Sequence, residues 1–369
     1  MTDATGPADE AGSDPASHPA SHPASQPASR PATKPVNLAL QGGGAHGAFT
    51  WGVLDRLLED GRLSFEGISG TSAGAVNGAV LAYGMAAGGT ETARELLDRL
   101  WRRIAHGAMW SPLQPSWFDR LTGNPNLELS PGYAGFDLLM RVFSPYTFNP
   151  TGWNPLRDVL DGLIDFDVLR KAQRTRLYVS ATEVRRGRLK VFSGPELSVD
   201  ALLASACLPF LFRAVEIDGE HYWDGGYMGN PTIYPLIHNC NSPDIVVVQI
   251  NPINREQVPT TPTAIIDRMN EISFNSTFLR ELRGLGLINR LIAQHGLEPG
   301  ECGLRPMHLH MIGDEPAMQD YTVSSKLNAD WGFIRHLRDI GRNAAGLWLD
   351  AHWDSIGEES TFEVDSMMA

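Results

Sequence analysis

At 369 residues and 42% hydrophobic, the chain is long enough to bury a large core, as one α/β domain or as two smaller ones. A net charge of −13 excludes a nucleic-acid binder, because neutralising phosphates takes a surplus of Lys and Arg, and it disfavours attraction of the whole protein to anionic membranes. Cys207, Cys240 and Cys302 form neither a CxxC pair nor a zinc pattern and read as thiols of a reducing compartment, while no apolar run approaches the roughly 20 residues that span a bilayer.

The first 35 residues are low-complexity Pro-Ala-Ser sequence and read as a flexible tail, with too little apolar surface to offset the entropy of ordering. Val36 to Gln41 is a short apolar run stopped by three glycines, which predicts a buried strand ending in a tight turn. From Gly47 the period becomes helical, with Phe49, Val53 and Leu57 on one face and Gly61 as the stop. A second strand, Phe65 to Ser69, leads into an Ala-rich helix, Ala73 to Ala82, and this alternation predicts parallel βαβ topology.

Further strands are predicted at Leu177–Val184, Leu189–Phe192, Ala214–Ile217, Ile245–Ile250 and His308–Ile312. Helices are predicted at Glu91–Ala105, Val199–Cys207, Thr263–Ile292 in one or two pieces, and Trp331–His352. The stretch from His106 to Pro155, rich in Pro, Gly and aromatics such as Trp110, Trp117, Phe118, Tyr133 and Trp153, reads as a long insertion that either covers an apolar pocket or packs on itself. The domain expectation is a tail (1–35), a catalytic core (36–250) and a helical C-terminal extension packed on that core (251–369).

Three motifs carry chemistry. In Gly42-Gly43-Gly44-Ala45-His46-Gly47 the glycines allow close backbone approach, and the amides lie at a helix N-terminus that favours negative charge. The spacing also fits the dinucleotide pattern GxGxxG, with Asp60 near the distance of a ribose-binding acid; but Asp60 precedes Gly61 at the end of a helix instead of closing the second strand. The competing reading makes the amides of Gly42, Gly43 and Gly44 an oxyanion hole.

The second motif, Gly70-Thr71-Ser72-Ala73-Gly74, falls between strand and helix, the context in which GxSxG sets its serine on a sharp turn. A base is then needed. His238, His308, His310, His336 and His352 stand late enough for a Ser-acid-His triad, yet none lies in a distinctive loop. The third motif offers an acid instead: Ile217 to Trp223 reads as strand, Asp-Gly turn and strand, delivering Asp224 into Gly225-Gly226.

Together and in this order, the three motifs resemble the patatin-like phospholipase family, and Ala204 to Phe212 is similar to its small-residue segment upstream of the aspartate. The resemblance covers roughly Val36 to Ile250. It implies a three-layer α/β/α sandwich with a mostly parallel sheet, and lipid acyl-ester hydrolysis by a Ser72–Asp224 dyad without histidine. His46 stands where the family usually has Arg or Lys.

Chemically, Asp224 would accept the Ser72 proton, and an acyl-enzyme would then be hydrolysed with the same base. An ordinary Asp, with a pKa of about 3.9, is a weak base for a hydroxyl, so the scheme requires burial of Asp224. Other readings on the same residues are an esterase, thioesterase or storage-polyester depolymerase, a dinucleotide-binding oxidoreductase, and a non-catalytic lipid- or protein-binding scaffold. The expected partner is a lipid or other acyl ester, with no metal or cofactor. The location is expected to be cytoplasmic, with any membrane contact peripheral. Phe274 to Ile292 combines Phe278, Leu282, Leu285 and Ile288 with Arg280, Arg283 and Arg290, which fits a basic amphipathic helix lying on lipid or a helix that buries its stripe in the core, and the expectation is the second.

Overall fold

The computed structural model of the chain describes residues 33–109, 113–116, 119, 123–128, 130–295 and 305–364. Most of the Pro-Ala-Ser segment, Trp110, Trp117, Phe118 and Cys302 lie outside the described residues, whereas Lys34 and Pro35 belong to the first strand.

The strands are β1 (Lys34–Leu40), β2 (Leu63–Thr71), β3 (Arg176–Glu183), β4 (Arg188–Ser193), β5 (Val215–Ile217), β6 (Glu220–Asp224), β7 (Asp244–Val248) and β8 (His308–Ile312). They form one sheet in the order β5-β6-β3-β2-β1-β7-β8, with β4 paired to β3. The pairs β3–β2, β2–β1, β1–β7 and β7–β8 are parallel, and those of β3 with β4, β3 with β6 and β5 with β6 are antiparallel. This is a mixed α/β fold, with the sheet between helices.

The helices are α1 (Gly47–Asp60), α2 (Ala73–Ala87), α3 (Thr90–Ala108), α4 (Pro131–Val142), α5 (Pro145–Phe148), α6 (Pro155–Leu160), α7 (Phe166–Lys171), α8 (Val199–Ser205), α9 (Tyr234–Asn239), α10 (Pro262–His295), α11 (Glu315–Met318) and α12 (Trp331–His352). Period-2 alternation assigns the two faces of the sheet. Val36, Leu38 and Leu40 of β1, with Val246 and Val248 of β7, pack with α1, α2, α3, α8 and α12. Ala39, Ile245 and Val247 face the other way, against Leu236 of α9 and Phe278, Leu282 and Leu285 of α10. Burial on both faces explains why these strands read as continuous apolar runs.

The stripe of α10 is thus core packing, as expected; the exposed apolar residues of that helix are mainly in its first half, at Ile265, Ile266, Met269 and Ile272. Residues beyond Ile250 enter the same core. β8 extends the sheet beside β7, and α12 lies on α1 so closely that a side chain at Gly52 would strike the Arg338 carbonyl and one at Gly341 the Phe49 carbonyl.

The long insertion contains α4 and α5, which its Gly and Pro content hid. It neither stands apart nor packs solely on itself. Asn328 Nδ2 donates to Pro125 O at 2.8 Å, Leu127 N to Ser324 Oγ at 3.0 Å and Thr322 N to Asn126 Oδ1 at 3.0 Å. Helices α6 and α7, also absent from the sequence reading, begin at the side-chain caps Asn154 and Asp165.

Candidate active site

The sheet register brings Ser72 and Asp224 to one place. One edge of β3 is occupied by β4 from Tyr178 to Glu183. The opposite edge is shared: β2 covers it as far as Thr71 opposite Ser180, and β6 covers it from Asp224 opposite Ala181 onward. Because β2 runs parallel and β6 antiparallel to β3, the two strands end head to head, with Ser72 leaving one and Asp224 closing the other.

Ser72 caps α2 at φ 53°, ψ −122°, a backbone conformation that costs energy for any non-glycine residue and must be held by its surroundings. Its N–H donates to Ser205 Oγ at 2.9 Å and its carbonyl accepts from Val76 N at 3.1 Å. The elbow glycines are required by close approach: a side chain at Gly70 would meet Gly74 and Ala75, and one at Gly74 would meet the carbonyls of Leu40 and Gln41.

Asp224 is wholly buried. Its N–H donates to Cys207 O at 2.8 Å, its carbonyl accepts from Thr182 Oγ1 at 2.8 Å, and its Oδ1 accepts from Gly226 N at 2.7 Å. Oδ2 has no hydrogen-bond partner. Burial drives the carboxyl up to about 7, against the lowering effects of the Gly226 amide, the Ser72 hydroxyl and Lys326. Ser72 thus lies beside the carboxylate, close enough for its hydroxyl to lower the Asp224 pKa. Gly225 is backed by the Ser180 carbonyl, and Gly226 by the ring of Phe274 from α10.

The glycine loop lies against the elbow, since a side chain at Gly42 would come within 2.7 Å of Ser72 Cβ. The Gly42 N–H is already engaged, donating to Asn230 Oδ1 at 2.6 Å. Among the described residues no acceptor takes the N–H of Gly43 or Gly44. Gly44 has φ +58°, with the Lys326 carbonyl where a side chain would be. Gly47 packs on Ala73, where α1 and α2 start side by side.

His46 points elsewhere. Its Nε2 pairs with Ser325 Oγ at 2.7 Å and its ring lies among Tyr321 and Phe333. Burial, then Lys326 and Arg255, hold its pKa well below the ordinary histidine value, so it is a neutral packing group. Asp60 is at the C-terminal end of α1, ion-paired to Arg62 at 2.6 Å, beside the starts of β1 and β2 and so at the opposite ends of these strands from the glycine loop.

The late histidines are also accounted for. His310 Nε2 meets Asp244 Oδ1 at 2.9 Å, with His308 beside it at 3.4 Å; Asp244 was not anticipated as their partner because it lies on the neighbouring strand. His336 pairs with Tyr321 Oη at 3.0 Å, while His238 and His352 lie on Tyr234 and Trp348. No group of His, Cys, Asp and Glu suited to a metal ion occurs among the described residues. Burial pushes the Cys207 thiol up to about 12, making it inert.

A family model described as patatin-like phospholipase matches residues 38–237, a span that contains the glycine loop, the elbow and Asp224. The chain belongs to the patatin-like phospholipase family. Membership indicates a lipid acyl hydrolase. No curated protein matches the chain. Among solved structures it is similar to VipD from Legionella pneumophila, at 15% identity and TM-score 0.41, covering 90% of this chain and 72% of that one. It is also similar to ExoU in the ExoU–SpcU complex from the type III secretion system of Pseudomonas aeruginosa, at 18% identity and TM-score 0.36, covering 88% of this chain and 52% of that one. The patatin-like chain thus matches only about half the length of ExoU.

Sequence reasoning missed Ser205, Asn230, Asn251, Phe274 and Lys326. Ser205 lay inside the recognised Ala204–Phe212 segment and was legible there. The others stand in no motif and are brought to the site by the fold alone. No helix among the described residues is long and apolar enough to cross a membrane.

Proposed function

We propose that the protein is a phospholipase A- or lysophospholipase-like hydrolase that works through a Ser72–Asp224 dyad and an acyl-enzyme. The observation that carries this reading is the head-to-head meeting of β2 and β6 on one edge of β3, which sets the strained Ser72 against a buried carboxylate with Oδ2 unpartnered.

Ionised Asp224 takes the Ser72 proton on Oδ2 as Oγ attacks the ester carbonyl. The N–H groups of Gly43 and Gly44 donate to the oxyanion, and Gly42, whose amide is engaged by Asn230, fixes the loop. On collapse the ester C–O bond breaks and the leaving alcohol takes the proton from Asp224. Water then attacks the acyl-enzyme, giving its proton to Asp224, which returns it to Ser72 as the fatty acid leaves. A carboxyl poised at about 7 suits both directions of transfer.

Exposed apolar residues support contact with a lipid surface. Ile265, Met269 and Ile272 follow one face of α10 on the approach to Phe274, and Leu138, Val142 and Phe143 are exposed at α4. Labelling with a fluorophosphonate and turnover of a panel of phospholipids, lysophospholipids, acylglycerols, thioesters and short polyesters test the reading. Retention of both hydrolysis and labelling in Asp224→Asn would remove the dyad, and preference for a thioester or polyester would replace the phospholipid.

A further inference from the structure

Lys326 lies on the short helical turn Ser324–Leu327, behind the glycine loop and outside every motif. Its Nζ donates to Asn251 Oδ1 at 2.8 Å. Asn251 Nδ2 in turn donates to the Gly42 carbonyl at 2.7 Å and to Gln41 Oε1 at 3.2 Å. The amide orientation of Asn251 follows from its partners, because an ammonium can only donate and a carbonyl can only accept. Gln41 Oε1 also takes the N–H groups of Ile250 and Asn251, each at 3.0 Å, which fixes Asn251 against the loop.

The Gly42 carbonyl and the Gly43 N–H belong to one peptide unit, whose resonance couples the two ends. A hydrogen bond received at the oxygen draws electron density from the nitrogen and makes the N–H a stronger donor, and a cation at the head of the chain strengthens each link. We infer that Lys326 and Asn251 are positioning residues that polarise the Gly42–Gly43 peptide, so that the Gly43 N–H binds the oxyanion more strongly than an isolated amide would. This rests on the dyad reading and adds to it a source for the oxyanion's stabilisation. The cation comes from a turn some 280 residues after the loop it serves, while His46 inside the loop is neutral.

The charges facing Lys326 fit a fixed cation that is not consumed by an ion pair. Burial lowers the Lys326 pKa and Arg255 adds to the lowering, while Glu271 and Asp267 of α10 and Asp224 oppose it, and Glu271 itself is held by Arg255 at 2.5 Å and Arg268 at 3.1 Å.

The test compares wild type, Lys326→Met, Lys326→Arg, Asn251→Leu and the double variant Lys326→Met/Asn251→Leu, normalised to sites titrated by a fluorophosphonate. Lys326→Met should lower kcat roughly 10- to 30-fold with KM little changed, less than the about 10²–10³ that loss of a whole donor costs. The affinity of a boronate inhibitor, which forms a tetrahedral anion on Ser72, should fall by a similar factor. Lys326→Arg should recover most of the loss, and the double variant should be no worse than the poorer single one, because both act through one relay. The acid limb of kcat should also move to higher pH in Lys326→Met, as Asp224 loses a positive neighbour.

Wild-type kcat and boronate affinity per titrated site in Lys326→Met would overturn the inference. So would additive losses in the double variant, or a loss confined to the number of titratable sites. Failure of the dyad reading is distinguishable, since it appears as hydrolysis surviving in Ser72→Ala.

Discussion

Between β1 and β6 the two residues of the proposed dyad are held mainly by the strand ends they close. Asp224 is fixed by the Gly226 amide and the Cys207 carbonyl, and Ser72 by the turn itself and the Ser205 hydroxyl. Beyond Ile250 the polar groups hold one another: Lys326 through Asn251, Glu271 through Arg255 and Arg268, and His46 through Ser325. Geometry set by a sheet is local, and leaves glycines at recognisable spacings. Charge placed by a second layer needs only a side chain of the right length from any element that passes nearby. In the proposed dyad the first region therefore supplies the reacting atoms, and the second the charges around them.

The largest effects should fall on the first region. Ser72→Ala and Asp224→Asn should each reduce turnover by about 10⁴-fold or more, measured on a soluble ester, while the fold remains intact by circular dichroism. Substantial turnover in Ser72→Ala would break the comparison at its root.

Next in size is a test of whether the two regions share one core. Gly52→Ala drives a methyl into the Arg338 carbonyl across the α1–α12 contact. It should cost about 3 kcal/mol, roughly 10²-fold in the folding equilibrium, and denaturant melts should show one cooperative transition moved as a whole. Loss of a separate C-terminal transition would instead make α12 an independent layer.

The pH dependence sharpens the electrostatic half of the contrast. With Asp224 at about 7, kcat should fall about tenfold per unit below that pH, since the base is then protonated. Stability runs the opposite way. The folded carboxyl binds a proton more tightly than the unfolded one, whose pKa is near 3.8, so its contribution is fully present below that value and is lost as pH rises through about 7. Asp224→Asn should therefore gain little in melting temperature at pH 4 relative to wild type, and most at pH 8. Glu281, also raised to about 7, is common to both proteins and cancels in the difference.

The smallest effect concerns the exposed stripe of α10. Met269→Ser with Ile272→Ser should lower vesicle binding and turnover on vesicles several-fold in a flotation assay, leaving soluble-ester hydrolysis unchanged, because only exposed apolar surface is removed. Equal losses on both substrates would assign the stripe to the site's own packing.

Much of the architecture was legible in the sequence. The ends of β8 and α12 coincide with their periodic segments, and the Asp218-Gly219 turn between β5 and β6 has the positive φ values that those residues favour. The helices α4, α6 and α7 were not read, because glycines interrupt the first and the other two are only six residues long. The His310–Asp244 pair was hidden for a different reason. Its members lie on neighbouring strands, two positions out of register and 66 positions apart along the chain.

What the sequence by itself determined is the set of strand-turn-helix junctions at Gly42–Gly47, Gly70–Gly74 and Asp224–Gly226, because tight turns and close backbone approach demand particular residues at particular spacings. Only the tertiary structure decided that β2 and β6 end against each other on β3, that Gly42 gives its amide to Asn230, that His46 is a neutral packing group, and that the cation behind the glycine loop is Lys326. Each of these depends on which distant surfaces come within a few ångströms of one another. Electrostatics and hydrogen bonding act through space, and they leave no periodic trace along the chain.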